Sequence, residues 1–235
     1  MNYLWAAGTH QGRLRGNNED AYAPEASGRG PGPVIVMVAD GMGGHAGGEV
    51  ASRLAVDTAL LVEGTLAERV TKANKVVIEA ALREPGLAGM GTTLTMAELG
   101  PDDTIRLAHV GDSRAYLLRD GDFEMVTDDH TVVAEHVAAG RLSTRDALTH
   151  PQRSMLTRVL GLSPEVEVDE IEIDVREGDR LLICSDGLTN MVPENRIAAT
   201  LGKASPEEAV WTLIEQANRA GGHDNITVVV VQVIT

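Results

Sequence analysis

The chain has 235 residues, enough for one good core and short for two, so a single domain over residues 1–235 is expected. Asp and Glu outnumber Lys and Arg by 35 to 20, a net charge of −15 that repels polyphosphate backbones and argues against nucleic acid as a partner. The single cysteine, Cys184, excludes an internal disulfide and a cysteine-built zinc site, and 43% hydrophobic with 23% charged residues excludes a disordered chain.

Met1-Asn2-Tyr3-Leu4-Trp5-Ala6 has neither a basic n-region nor an apolar h-region, so no signal peptide is expected. No run reaches the roughly 18 apolar residues of a membrane span. A cytoplasmic monomer with no membrane contact in this segment is the expectation. Residues 27–33, rich in Gly and Pro, read as a loop. Residues 34–39 form a continuous apolar run, a strand buried on both faces. Residues 41–48 are glycine-rich. Two helical periods follow, over 49–62 and from Leu66 to a stop before Pro85-Gly86. Four strands are predicted at 92–99, 104–110, 114–119 and 123–127, with Asp120-Gly121 as a hairpin turn. Residues 130–162 are polar, mostly helical by pattern, and carry Arg141, Arg145, Arg153 and Arg158. Strands resume at 170–175 and 180–185. Ser205-Pro206-Glu207-Glu208 is a capping box opening a helix to about Ala220, before a last strand at 226–234. A chain trimmed from a longer protein would end the same way. Many strands with hairpin connections predict mainly antiparallel sheets covered by helices.

Carboxylates recur at the predicted strand ends. Residues 34–39 lead into Asp40-Gly41, 180–185 into Asp186-Gly187, and 104–110 into Gly111-Asp112. His223-Asp224-Asn225 precedes the last strand, and Glu19-Asp20 lies in a polar turn. One Asp-Gly is usually a turn. The set, with a buried strand and a small residue before each of two Asp-Gly pairs, points to a hard divalent cation such as Mg²⁺ or Mn²⁺, because bare carboxylates so gathered would repel one another.

These residues carry a family resemblance. Arg15-Gly16-Asn17-Asn18-Glu19-Asp20, Val38-Ala39-Asp40-Gly41-Met42-Gly43-Gly44-His45, Gly91-Thr92-Thr93, Val110-Gly111-Asp112-Ser113-Arg114, Leu156-Thr157-Arg158-Val159-Leu160-Gly161, Ser185-Asp186-Gly187 and Asp224-Asn225-Ile226-Thr227 occur in that order. Together they resemble the bacterial type of metal-dependent Ser/Thr protein phosphatases, the PPM or PP2C class. The resemblance implies an α+β fold, a four-layer α-β-β-α sandwich. It implies that Asp40 bridges two metals, Gly41 lends a carbonyl, Asp186 and Asp224 complete the first metal, and Glu19 serves the second through water. Asp20 and Asn225 would stand behind these ligands. Asp112, with Asp186, would hold a third, weaker ion, and residues of about 130–162 would form a flap. The implied activity is hydrolysis of phosphoserine and phosphothreonine by a metal-bridging hydroxide, opposing a Ser/Thr kinase. His10 departs from the family, where many members have Asp; it is not a ligand there.

A phosphomonoester dianion repels nucleophiles and leaves as a poor alkoxide, which two close metals and a proton donor address. Arg15 can fork two phosphate oxygens, although it and Arg13 also read as surface arginines. His45, beside Asp40, is placed to protonate the leaving oxygen, although a lone histidine near a turn is more often solvated structure. His109 reads as core or support, and Cys184 as a small buried hydrophobe. Asp112 has a plainer alternative, capping a turn and pairing with Arg114. Two other functions stay open. Gly41-Met42-Gly43-Gly44-His45-Ala46 fits a dinucleotide fingerprint, with Glu63 about 20 residues on. A phosphatase-fold binding module without activity is the second, against which Arg15, Asp40, Asp186 and Asp224 are all present.

Overall fold

The computed structural model describes residues 1–43 and 47–235. Strands β1 (Asn2–His10), β2 (Asp20–Ala23), β3 (Gly28–Pro31) and β4 (Val34–Met42) come first, then helices α1 (Gly47–Leu61) and α2 (Leu66–Arg83). The middle holds β5 (Gly91–Thr92), β6 (Leu94–Leu99), β7 (Thr104–Val110), β8 (Arg114–Arg119) and β9 (Asp122–Met125), followed by short helices α3 (Val132–Ala138) and α4 (Thr144–Ala147). The chain closes with β10 (Asp169–Asp174), β11 (Arg180–Cys184), α5 (Asp186–Thr189), α6 (Glu194–Leu201), α7 (Pro206–Arg219) and β12 (Ile226–Ile234).

Two six-stranded antiparallel sheets result. One runs β3-β1-β12-β11-β8-β9; the other runs β10-β7-β6-β4-β2, with β5 on β4. The period-2 alternation of strands assigns each side chain to a layer. Along β4, Val36 and Val38 meet Val229 and Val231 of β12 between the sheets, while Met37 and Ala39 face Ala51, Ala55, Val70 and Val77 of α1 and α2. Along β12, Val228 and Val230 turn the other way, against Ala209, Val210 and Leu213 of α7. The result is a four-layer α-β-β-α sandwich with three buried apolar layers. Helices α2 and α7 start on reciprocal caps: Thr65 and Glu68 at α2, and the expected Ser205 and Glu208 at α7. The Asp120-Gly121 hairpin is present, with φ of 52° and 96° at its two corner residues.

Several expectations need correction. Residues 2–10, to which the sequence assigns no element, are strand β1, bound over its whole length to β12; their alternation is blurred because Leu4 and Trp5 are both only half-buried. Residues 28–31, expected as loop, form an edge strand on β1. The strand expected at 92–99 is broken at Thr93, so that β5 and β6 pair with different stretches of β4. Residues 130–162 are mostly turns, with only two short helices. The helix after β4 does not carry the chain to a parallel neighbour, since every strand pairing among the described residues is antiparallel. That removes the dinucleotide-binding reading, which needs a βαβ crossover.

Candidate active site

The sheet register gathers the carboxylates. Asp40 lies inside β4, not past its end, directly opposite Asp20, the first residue of β2. Asp20 therefore opens a strand and does not sit in a polar turn. Asp186 follows β11 by two residues and Asp224 precedes β12 by two; the two strands are neighbours. Close backbone contact fixes the junctions. The Gly41 N–H donates to the Glu19 carbonyl at 3.1 Å. A Cβ on Gly41 would lie 2.1 Å from the Gly48 oxygen, and one on Gly187 would lie 1.9 Å from the Asn225 oxygen. Only glycine fits at either place.

Hydroxyls and amides set the orientation. Ser185 Oγ and Thr227 Oγ1 donate to Asp20 Oδ2 at 2.8 and 2.6 Å, tying the second sheet to the first. The Asp40 N–H donates to Thr93 Oγ1 at 2.9 Å, and that oxygen is 2.8 Å from Ser113 Oγ, beside Asp112. Asn225 gathers the segment before β2. Its Oδ1 accepts from the Glu19 N–H at 2.8 Å, and its Nδ2 donates to the carbonyls of Gln11 and Asn17 at 2.9 Å each.

Positive charge in the cluster is scarce. Arg15 Nη2 donates to Asp224 Oδ2 at 2.6 Å from a half-exposed position. Burial, then repulsion by Asp20, Asp186, Asp112 and Asp224, holds the Asp40 carboxyl well above the usual carboxylate range. Burial raises Asp20 to about 7 despite its two hydroxyl donors, and Asp186 and Asp224 add to the rise. Asp112 rises to about 7 through burial, then Asp186 and Asp129. Asp186 rises to about 6 through burial and Asp224. Asp20 Oδ1 and Asp186 Oδ1 are buried and accept no hydrogen bond, a costly state for a carboxylate that lacks a counter-ion. Among the described residues no three such side chains converge into a ready-made cage. The orphaned oxygens and the unbalanced charge nevertheless fit hard divalent cations, which oxygen ligands with open positions hold.

Of the predicted site residues, Arg15, Glu19, Asp20, Asp40, Gly41, Asp112, Asp186, Asp224 and Asn225 lie within this neighbourhood. His45 lies outside the described residues. His109 is buried in β7, with its ring nitrogens 2.8 Å from Thr95 Oγ1 and 2.9 Å from the Asp128 oxygen. Cys184 is buried, and burial pushes its thiol up to about 12. Asp112 does not pair with Arg114, whose guanidinium forks Asp129 at 2.8 and 2.6 Å. Arg158 does not face outward with the other loop arginines; it donates to Asp169 at 2.7 Å and pairs with Glu167. Sequence reading passed over Ser185, Thr227, Thr93 and Ser113 as supports, though all four stand in the quoted motifs. Their signal was a hydroxyl one or a few residues from a carboxylate.

A profile of the protein phosphatase 2C family matches residues 7–211. A serine/threonine phosphatase of Listeria welshimeri is 42% identical over 95% of this chain and 93% of its own. The crystal structure of the Mycobacterium tuberculosis serine/threonine phosphatase PstP superposes with a TM-score of 0.91 at 38% identity, covering all of both chains. The catalytic domain of PstP in complex with two manganese ions gives a TM-score of 0.87 at 37% identity, again over the whole of both chains. The buried carboxylate pole, the four layers and these likenesses lead to one conclusion: the chain belongs to the protein phosphatase 2C family.

Proposed function

We propose that this protein hydrolyses phosphoserine and phosphothreonine in phosphorylated proteins, using Mn²⁺ or Mg²⁺. The observation that carries the reading is the buried pole where Asp20 and Asp186 keep oxygens without donors and repulsion raises the Asp40 carboxyl. Two divalent cations there supply Lewis-acid charge for the phosphoryl group and bring bound water within reach of ionisation near neutral pH. Asp40, Asp186 and Asp224, with the Gly41 carbonyl and Glu19, are the residues that would hold them. Asp112 would hold a third, weaker ion together with Asp186. Asp20 and Asn225 fix these groups through the bonds described above.

Arg15 presents a forked donor at the rim and is half-exposed, so a phosphate dianion can take its second face while Asp224 holds the first. His45, which follows Gly41-Met42-Gly43-Gly44 in the sequence, is assigned the protonation of the leaving serine or threonine oxygen. A Ser/Thr kinase is the opposing enzyme, and the protein acts as a cytoplasmic monomer with one catalytic domain and a flap at about 130–162. No helix among the described residues is long and apolar enough to cross a membrane. Hydrolysis of a phosphothreonine peptide in Mn²⁺, abolished by EDTA and restored by added Mn²⁺, is the expected result. Hydrolysis insensitive to EDTA, or none in Mn²⁺ or Mg²⁺, would overturn the reading.

A further inference from the structure

His130 is a buried residue that the proposed chemistry does not use, and it sits at a junction. It exchanges two hydrogen bonds with Gly111, the residue before Asp112: its N–H donates to the Gly111 carbonyl at 2.8 Å, and its Nδ1 accepts from the Gly111 N–H at 3.0 Å. Because Nδ1 accepts, the ring proton is on Nε2, which donates to Asp169 Oδ2 at 3.0 Å. The ring packs on His109 with centroids 4.7 Å apart. The His130 carbonyl accepts from the Thr157 N–H at 2.9 Å, and Thr131 next to it bridges to Leu156. The polar excursion of residues 132–155 therefore leaves and returns at His130.

On its other side, the Gly111-Asp112-Ser113 turn is tied to Asp40, through Ser113 Oγ and Thr93 Oγ1 to the Asp40 N–H. Gly111 has φ of +114°, and a Cβ there would lie 2.5 Å from Thr93. The turn is thus clamped between Thr93 and His130 in a conformation that favours glycine. We infer that His130 is a positioning residue: it holds the Asp112 carboxylate in place by anchoring the Gly111 amide to the root of the 132–155 excursion. Movement of that excursion is then felt at Asp112 and, through Thr93, at Asp40. The inference rests on the phosphatase reading for its kinetic part only.

Two substitutions separate the halves of the ring. Asn keeps an acceptor where Nδ1 stands and gives up the reach to Asp169. Gln reaches Asp169 and gives up the acceptor for Gly111. His130→Gln should lower kcat on a phosphothreonine peptide by roughly 10- to 100-fold, as loss of a ligand-supporting group does, with KM little changed. His130→Asn should recover most of that loss. Amide hydrogen exchange at Gly111 should speed up in His130→Gln and stay slow in His130→Asn; this readout needs no activity, so it decides the positioning role even if the phosphatase reading fails. Equal kcat and equal Gly111 exchange in the two variants would overturn the inference, since a role in packing alone does not distinguish which nitrogen is replaced. If His130→Gln does not fold, Asp169→Ala removes the acceptor at Nε2 instead; faster Gly111 exchange supports the anchor, and unchanged exchange overturns it.

Discussion

The two ends of β11 each carry an aspartate with a buried oxygen, and the chain treats them in opposite ways. Asp179, just before the strand, is 2% exposed. Its oxygens accept from Arg119 Nε at 3.0 Å and from the Arg176 N–H at 2.9 Å, and Arg119 also covers them through Nη2. Asp186, just past the strand, has one oxygen bonded to Asn190 and one bonded to nothing, and it shares its surroundings with Asp224. The same residue type flanking the same strand is neutralised at one end and left as surplus charge at the other. A buried charge with every lone pair matched is architecture. A buried charge held without its match, at a cost to the fold, is kept for something that arrives from outside.

That contrast can be broken most sharply at Asp40. Asp40→Asn should cut metal-dependent turnover by more than the roughly 100-fold cost of losing a group that merely supports a ligand. Its melting temperature in EDTA should not fall, because one repelling charge is gone. Retained turnover with Mn²⁺ would erase the distinction between the two ends. Asp179→Asn tests the other end. It takes away the charge facing Arg119, which keeps the Asp174 carbonyl and is about a third exposed to water, and should destabilise the fold by about 2 kcal/mol in urea titrations, while turnover per folded molecule holds. A loss of metal affinity there would show that the ends are not separate.

Acidity sharpens the comparison. At the site end Asp20 and Asp112, at about 7, and Asp186, at about 6, lie above their unfolded values near 4 in the folded chain. Between those limits the folded state binds more protons than the unfolded one, so metal-free stability should fall as pH rises from about 4 to about 7. Melting curves in EDTA across that window should show the decline, and saturating Mn²⁺ should flatten it. A metal-free protein that gains stability over the window would contradict the surplus of charge. The smallest effect is expected at Arg176, which pairs with exposed Asp120 at the matched end. Arg176→Ala, keeping the backbone bond to Asp179, should change stability by less than about 1 kcal/mol in the same titration.

The sequence was most readable where a pattern repeats or a spacing is rigid. The bounds of β7, β8 and β12 follow from apolar runs and from the hairpin at Asp120-Gly121. The gathered aspartates follow from Asp beside Gly at successive strand ends. β1 and β3 were not readable because their pairing, not their own alternation, makes them strands: Leu4 and Trp5 break the alternation, and Gly28–Pro31 holds only through four register contacts to β1. The break at Thr93 is a tertiary event as well, set by the competing demands of β4 on both sides. Asp129, His130 and Asp169 were invisible as a set. Their partners, Arg114, Gly111 and Arg158, are 15, 19 and 11 residues away, and no periodicity links them.

The place of β12 between β1 and β11 bears on how the molecule comes into being. Nine register pairs join residues 2–10 to residues 226–234, so β1 waits for a strand more than two hundred residues further on. Until β12 arrives, β1 and β11 have an unfilled gap between them, and Asn225 cannot gather Gln11, Asn17 and Glu19. Contacts of such long sequence separation slow folding, because loop closure comes before the contacts that reward it. During synthesis α1 and α2 can already pack on β4, β6 and β7, whereas the acidic pole forms only once β12 is in place. A chain cut short anywhere before residue 226 therefore lacks the assembled acidic pole, however well its first helices have packed.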